Sequence, residues 1–167
     1  MNPTPPRMTL ARYDDPSDSL EAQANPPEFT ETYGTEWAKQ KIPGLSHSRK
    51  QFVQTLDRSI SLRLEFYALN EDGRSVEGAK FLLSAREFLL QMCRPRKLAN
   101  NISTGGSPLL VFFWPSFMTM VANLETVSFN YKRFNRIGAP VEMTADLKLE
   151  EVRFDLITSD ALEEVVS

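Results

Sequence analysis

Residues 107–154, SPLLVFFWPSFMTMVANLETVSFNYKRFNRIGAPVEMTADLKLEEVRF, decide the fold. In the closing stretch Val141, Met143, Ala145, Leu147 and Leu149 take one face. Glu142, Thr144, Asp146, Lys148 and Glu150 take the other. A period of two is what a half-buried antiparallel strand requires. Residues 117–133 read as a long strand whose apolar side changes along its length, which fits a bulge or a strand crossing between sheets. Between them Arg136-Ile137-Gly138-Ala139-Pro140 supplies a turn. Residues 109–114 form a near-continuous apolar run, expected as a strand buried on both faces. Pro115-Ser116 then bends the chain.

Outward from this block, residues 60–69 alternate in the same way. Ile60, Leu62, Leu64, Phe66 and Ala68 share a face, opposite Ser61, Arg63, Glu65, Tyr67 and Leu69. Asn70-Glu71-Asp72-Gly73 has turn chemistry. Residues 75–91 read as the principal helix, with Ser75 as cap and an apolar stripe of Ala79, Leu82, Leu83, Leu89 and Leu90 interrupted by Arg86. Pro95 stops it. Residues 8–13 suit a short strand, and residues 49–54 begin another.

Residues 20–48 show no sustained periodicity and are expected to form a long loop. Its aromatics, Phe29, Tyr33 and Trp37, are the candidate protein-interface residues, packing on their own sheet or on a neighbouring subunit. Residues 1–7 are proline-rich and expected to be flexible. The tail, residues 156–167, is expected to hold a short helix, with Asp160 and Glu163 at capping-box spacing. Residues 8–155 therefore stand as one domain. The fold class is mainly β: an antiparallel β-barrel or two-sheet sandwich with one flanking helix.

Composition narrows the function classes. The chain of 167 residues can bury a self-sufficient core, and its net charge of -3 argues against bulk attraction to nucleic acid or anionic membrane. The clusters Arg94, Arg96, Lys97 and Lys132, Arg133, Arg136 are too short for a basic tract. Cys93 is the one cysteine, so neither an intrachain disulfide nor a multi-cysteine metal site is available, and a buried, inert thiol is expected. The N-terminus has no apolar core behind a basic start, so no secretory signal is expected, and no apolar run is long enough to span a bilayer.

Residue chemistry gives no catalytic site. His47, the one histidine, lies in a loop between Ser46 and Ser48, and sequence neighbours rarely build a triad. Thr104-Gly105-Gly106-Ser107 lacks the spacing of a phosphate loop. The expectation is no enzyme, no metal and no cofactor.

Several segments in order nonetheless resemble the tube-like N-terminal domain of contractile injection systems and of phage baseplate proteins that often carry a LysM module. They are Asn25-Pro26 with Phe29, Trp37, Pro43-Gly44, the alternating strand of residues 59–69, the helix ending in Leu89-Leu90, and residues 108–114 followed by Phe117. Tyr131, Phe134, Gly138, Pro140 and Val141 match the turn; Leu147, Leu149 and Glu150 match the closing strand. Pro115 departs from the glycine usual after the tryptophan. No LysM module lies within the 167 residues, so the peptidoglycan-binding role of longer relatives is not expected.

The resemblance implies a structural component of a contractile phage tail or related injection machine, at the tube-baseplate junction, as tube initiator or hub adaptor. It implies a six-fold homo-oligomeric ring, with tail-tube protein and baseplate hub or wedge proteins as partners, located in the virion tail after assembly in the host cytoplasm. Glu142, Asp146 and Glu150 would then be candidate lumen-facing residues, discouraging DNA from sticking. The competing class is a monomeric assembly chaperone or adaptor for tail proteins.

Overall fold

The computed structural model describes residues 5–68, 76–95 and 106–153. In chain order the elements are β1 (Thr9–Arg12), β2 (Ser19–Glu21), β3 (Phe29–Thr32), β4 (Thr35–Gln40), β5 (Arg49–Thr55) and β6 (Ser59–Tyr67). Then come α1 (Val76–Cys93), β7 (Leu110–Trp114), β8 (Met118–Phe134) and β9 (Pro140–Glu151). Seven strands form one antiparallel sheet in the order β2-β1-β7-β8-β9-β6-β3, and β4 pairs with β5 alone. The described residues are mainly β with one helix, as the alternation implied.

The sheet curls without closing. Phe29 on β3 lies 5.9 Å, centroid to centroid, from Phe112 on β7. Four strand spacings separate those strands, about 19 Å in a flat sheet. The two ends therefore fold toward each other over a shared interior, while β2 and β3 remain edges. Of the two architectures expected, the sandwich-like arrangement is found and the closed barrel is not.

The interior follows from the ladder between β6 and β9. Ile60 stands opposite Leu149, Leu62 opposite Leu147, Leu64 opposite Ala145 and Phe66 opposite Met143. All eight are buried. Because side chains alternate, every apolar residue of these pairs reaches the same core. Each fully buried Leu or Phe contributes about 1.5–3 kcal/mol relative to exposure.

β8 changes its inward face at a bulge. Leu124 pairs with Leu149 and Thr126 with Lys148, so Glu125 is the extra residue. Before it Met120, Ala122 and Leu124 point inward; after it Val127, Phe129 and Tyr131 do. One inserted residue flips every later side chain.

Helix α1 covers the interior with Leu82, Ala85, Phe88, Leu89 and Met92. The sequence stripe is thus rotated: Leu83 is exposed and Arg86 half-buried, while Ala85, Phe88 and Met92 face inward. Leucines on several sides of the helix made two overlapping stripes, and contact with β8 and β9 selected one. The Ser75 cap and the tail helix lie outside the described residues. β7 also differs from expectation. Leu110 and Phe112 are buried, but Phe113 is exposed on the other face, which the described residues leave uncovered.

Two polar devices set the ends of the sheet. Asn25 accepts from the Met8 N–H and donates to the Pro6 carbonyl, both at 2.9 Å, pinning the chain ahead of β1. The Gln23 amide accepts from Tyr67 N–H at 2.7 Å and donates to its carbonyl at 3.0 Å, completing the end of β6 as a strand would. Residues 20–48, expected as loop, hold β3, β4 and most of β2.

Candidate functional site: an uncovered arm and a charged sheet face

The hairpin β4–β5 leaves the sheet between β3 and β6 as an arm. Every residue in both of its strands is exposed. Trp37 and Phe52 stand opposite each other and pack edge to face at 5.4 Å, yet each is 50% exposed. Val53, Ile42 and Leu45 add further exposed apolar surface along the arm and its tip. The ladder shifts register between Glu36 and Trp37, which leaves Val53 as the extra residue of a bulge.

The root of the arm is fixed where β9 ends. Arg58 donates to Glu151 Oε1 at 2.8 Å and to the Tyr33 hydroxyl at 3.3 Å, with its guanidinium 6.0 Å from the Tyr33 ring centroid. Arg153 donates to the second Glu151 oxygen at 3.1 Å. Burial alone would lower the Arg58 pKa, but bonds to Tyr33 and Glu151 outweigh it and hold the guanidinium above its ordinary value. The Leu56 N–H donates to the Gly34 carbonyl at 2.9 Å, closing the root.

Of the three aromatics expected at an interface, Tyr33 sits exposed at this root and Trp37 on the arm. Phe29 lies apart from them. It is half-buried and meets Phe112, Trp114 and Phe117 with centroids at 5.9, 6.0 and 5.4 Å. Phe117 itself is exposed. The four rings form an aromatic mouth that joins β3 to β7 and the turn after it across the curled sheet. Phe52, missed in the sequence, could have been found only by pairing it with Trp37 across a turn.

Glu142, Asp146 and Glu150 share the outward face of β9, as their spacing required. Among the described residues, ion pairs engage two of the three. Asp146 accepts twice from Arg63, at 2.6 and 3.3 Å, and Glu142 lies 3.3 Å from Arg133 and 3.7 Å from Lys132. Lys148, between Asp146 and Glu150 on the strand, pairs with Glu125 at 2.8 Å. Hydrogen bonding to Glu125 raises the Lys148 pKa, and bonding to Asp146 raises that of Arg63. The face is an interleaved lattice of both signs in which Glu65, Glu125, Glu142, Asp146 and Glu150 stand among Arg63, Lys132, Arg133 and Lys148, five carboxylates to four cations. An open, polar groove of about 530 Å³ crosses it, lined by Thr30, Ser61, Thr126 and Ser128 among others.

The remaining candidates carry no chemistry. His47 is exposed in the arm loop. Cys93 is half-buried rather than fully buried, and its burial raises the thiol pKa, which keeps it protonated and a poor nucleophile. Among the described residues no three of His, Cys, Asp and Glu gather as a metal site, and no helix is long and apolar enough to cross a membrane.

A family model described as contractile injection system tube protein matches residues 7–156. No curated protein matches the chain.

Proposed function

We propose that this chain, which belongs to the contractile injection system tube protein family, is the ring or connector at the tube-baseplate junction of its machine, as tube initiator or hub adaptor. Membership itself makes the protein a structural, tube-related component, located in a phage or injection-machine tail and associating with other parts of it. The finer reading adds a six-fold ring of residues 8–155, assembled in the host cytoplasm, with tail-tube protein and hub or wedge proteins as neighbours.

The observation that carries this reading is the arm. No residue of its two strands is buried, and they present Trp37, Phe52 and Val53 to solvent. A contiguous apolar surface of that kind marks an interaction site. A two-stranded hairpin is marginal alone and gains stability when a partner covers it. Tyr33 and Trp37 would sit in that contact, and Phe29 would order the aromatic mouth against which a neighbour packs. A contact between two different patches of identical subunits closes into a ring when its rotation closes. The outward face bearing Glu142, Asp146 and Glu150 would line the lumen. Its excess of carboxylates disfavours phosphate, and its ion pairs hold side chains back from the channel.

The test is the mass of the purified protein in solution, alone and mixed with the tail-tube protein of the same machine. A ring, or a stoichiometric complex formed on mixing, is the expected result. A stable monomer that ignores the tube protein overturns the reading.

A further inference from the structure

Two faces of this molecule are left uncovered, and they are complementary. The first lies on the arm. Trp37 stands opposite Phe52, and two positions along each strand Lys39 stands opposite Lys50, so these four side chains share one face. All four are exposed. Like charges directly opposite one another destabilise a ladder. Among the described residues neither lysine has an ion-pair partner. This face is apolar and cationic.

The second is the outward face of β1 and β7. Phe113 pairs with Thr9 and Val111 with Ala11, on the side of the sheet opposite the buried Leu10, Leu110 and Phe112. Phe113 is 45% exposed there, beside the half-buried Val111 and Ala11. Glu21 pairs with Thr9 and so joins the same face, and the turn after β1 carries Asp14, Asp15 and Asp18. Around this apolar strip four carboxylates stand against two cations, Arg7 and Arg12. This face is apolar and acidic.

We propose that the arm of one copy lies across the β2–β1–β7 face of the next, with Trp37 and Phe52 on Phe113 and Val111, and Lys39 and Lys50 toward the bordering carboxylates. The sheet order supports a contact between copies. The arm leaves from β3 and β6 at one edge, and the receiving face lies at the other, beside β2. Two different patches at opposite edges are what a head-to-tail contact of identical subunits requires. A chain's own arm starts on the wrong side of the strand: β3 lies against Phe112 on the interior side of β7, whereas Phe113 points the other way. This inference rests on the ring reading and names the surface that receives the arm.

The experiment places benzoylphenylalanine, which on irradiation bonds to a C–H group it touches, at position 52 of the full-length chain. The mass in solution, alone and with the tail-tube protein, is measured first, so that the assembled state is known before irradiation. The expected products are covalent dimers of this chain on a denaturing gel, with adducts mapped by mass spectrometry to residues 9–13, 19–21 or 111–113 of the other copy. Phe113→Ser, outside the core, should raise the concentration needed for assembly by about tenfold or more and leave the thermal midpoint in place. Should the new side chain at position 52 disturb the arm, the same replacement of Trp37 repeats the test on the same face. A ring whose adducts fall elsewhere on the other copy, on the tail-tube protein or within one chain overturns this proposal and leaves the ring reading standing, as does assembly untouched by Phe113→Ser. A monomer that ignores the tube protein overturns both.

Discussion

Two antiparallel ladders in this molecule differ in almost everything except geometry. In the β6–β9 ladder each strand turns one face to the core and the other outward, where Thr144 alone is buried, and eight apolar residues pair across it. In the β4–β5 ladder both faces meet solvent, and its aromatic pair is half exposed. The same backbone pairing thus serves cohesion in one place and presentation in the other. Burial, and not hydrogen bonding, separates the two, since net stabilisation by a backbone bond is small beside apolar transfer.

The comparison breaks most visibly under truncation. Leu64, 1% exposed at the centre of β6, should cost about 2–5 kcal/mol on Leu64→Ala, because the cavity adds to lost transfer energy. Phe52→Ala removes more atoms but from a half-exposed site outside the core. Urea unfolding followed by circular dichroism should show a large midpoint shift for the first and almost none for the second. A comparable shift for both would mean that the arm belongs to the same cooperative unit as the sheet. Assembly should invert the order, with Phe52→Ala reducing complex formation while the natural chain and the variant unfold alike.

This difference also explains what the sequence revealed. The alternation in residues 60–69 and 141–150 placed β6 and β9 correctly, since burial of one face writes a period of two. The switch of apolar side in residues 117–133 anticipated the bulge at Glu125. β4 left no such trace: in Thr35-Glu36-Trp37-Ala38-Lys39-Gln40 both faces are exposed, so no selection for apolar alternation marks the strand. β2 and β3 were missed for another reason, because three or four residues are too few for periodicity to register. For the candidate surfaces, spacing alone put Glu142, Asp146 and Glu150 on one face. Their cations, Arg63 and Lys132 among them, come from neighbouring strands, and pairing across strands is not written in local sequence.

A smaller effect sits at the joint between the two ladders. Arg58 is largely covered and ties Tyr33 of the arm root to Glu151 at the end of β9. Arg58→Met keeps much of the side-chain volume but removes both bonds. The expected cost is about 1–3 kcal/mol in unfolding free energy, because Glu151 keeps only Arg153 as partner in a half-buried setting. Hydrogen exchange should rise at Leu56, whose N–H closes the root onto Gly34. Unchanged exchange there would show that the arm is positioned by its backbone alone.

The finest distinction comes from two glycines that are alike locally. Gly138 ends the β8–β9 turn at φ 80° and Gly44 lies in the arm loop at φ 90°; a Cβ added at either meets nothing within 4 Å. Alanine therefore imposes only backbone strain at each site, about 1–2 kcal/mol for a left-handed L-residue. The turn at Gly138 is held by Asn135, whose side chain accepts from Ile137 N–H at 3.1 Å and Ala139 N–H at 2.9 Å while its backbone N–H donates to the Ala139 carbonyl at 2.8 Å. That framework transmits the strain into the ladder that forms the core, so Gly138→Ala should lower the thermal midpoint by a few degrees. Gly44→Ala should leave it unmoved, because the arm loop can open without exposing any core residue. Equal shifts would show that the strain at the arm tip reaches the sheet, and the division between a cohesive ladder and a presented one would then have to be redrawn.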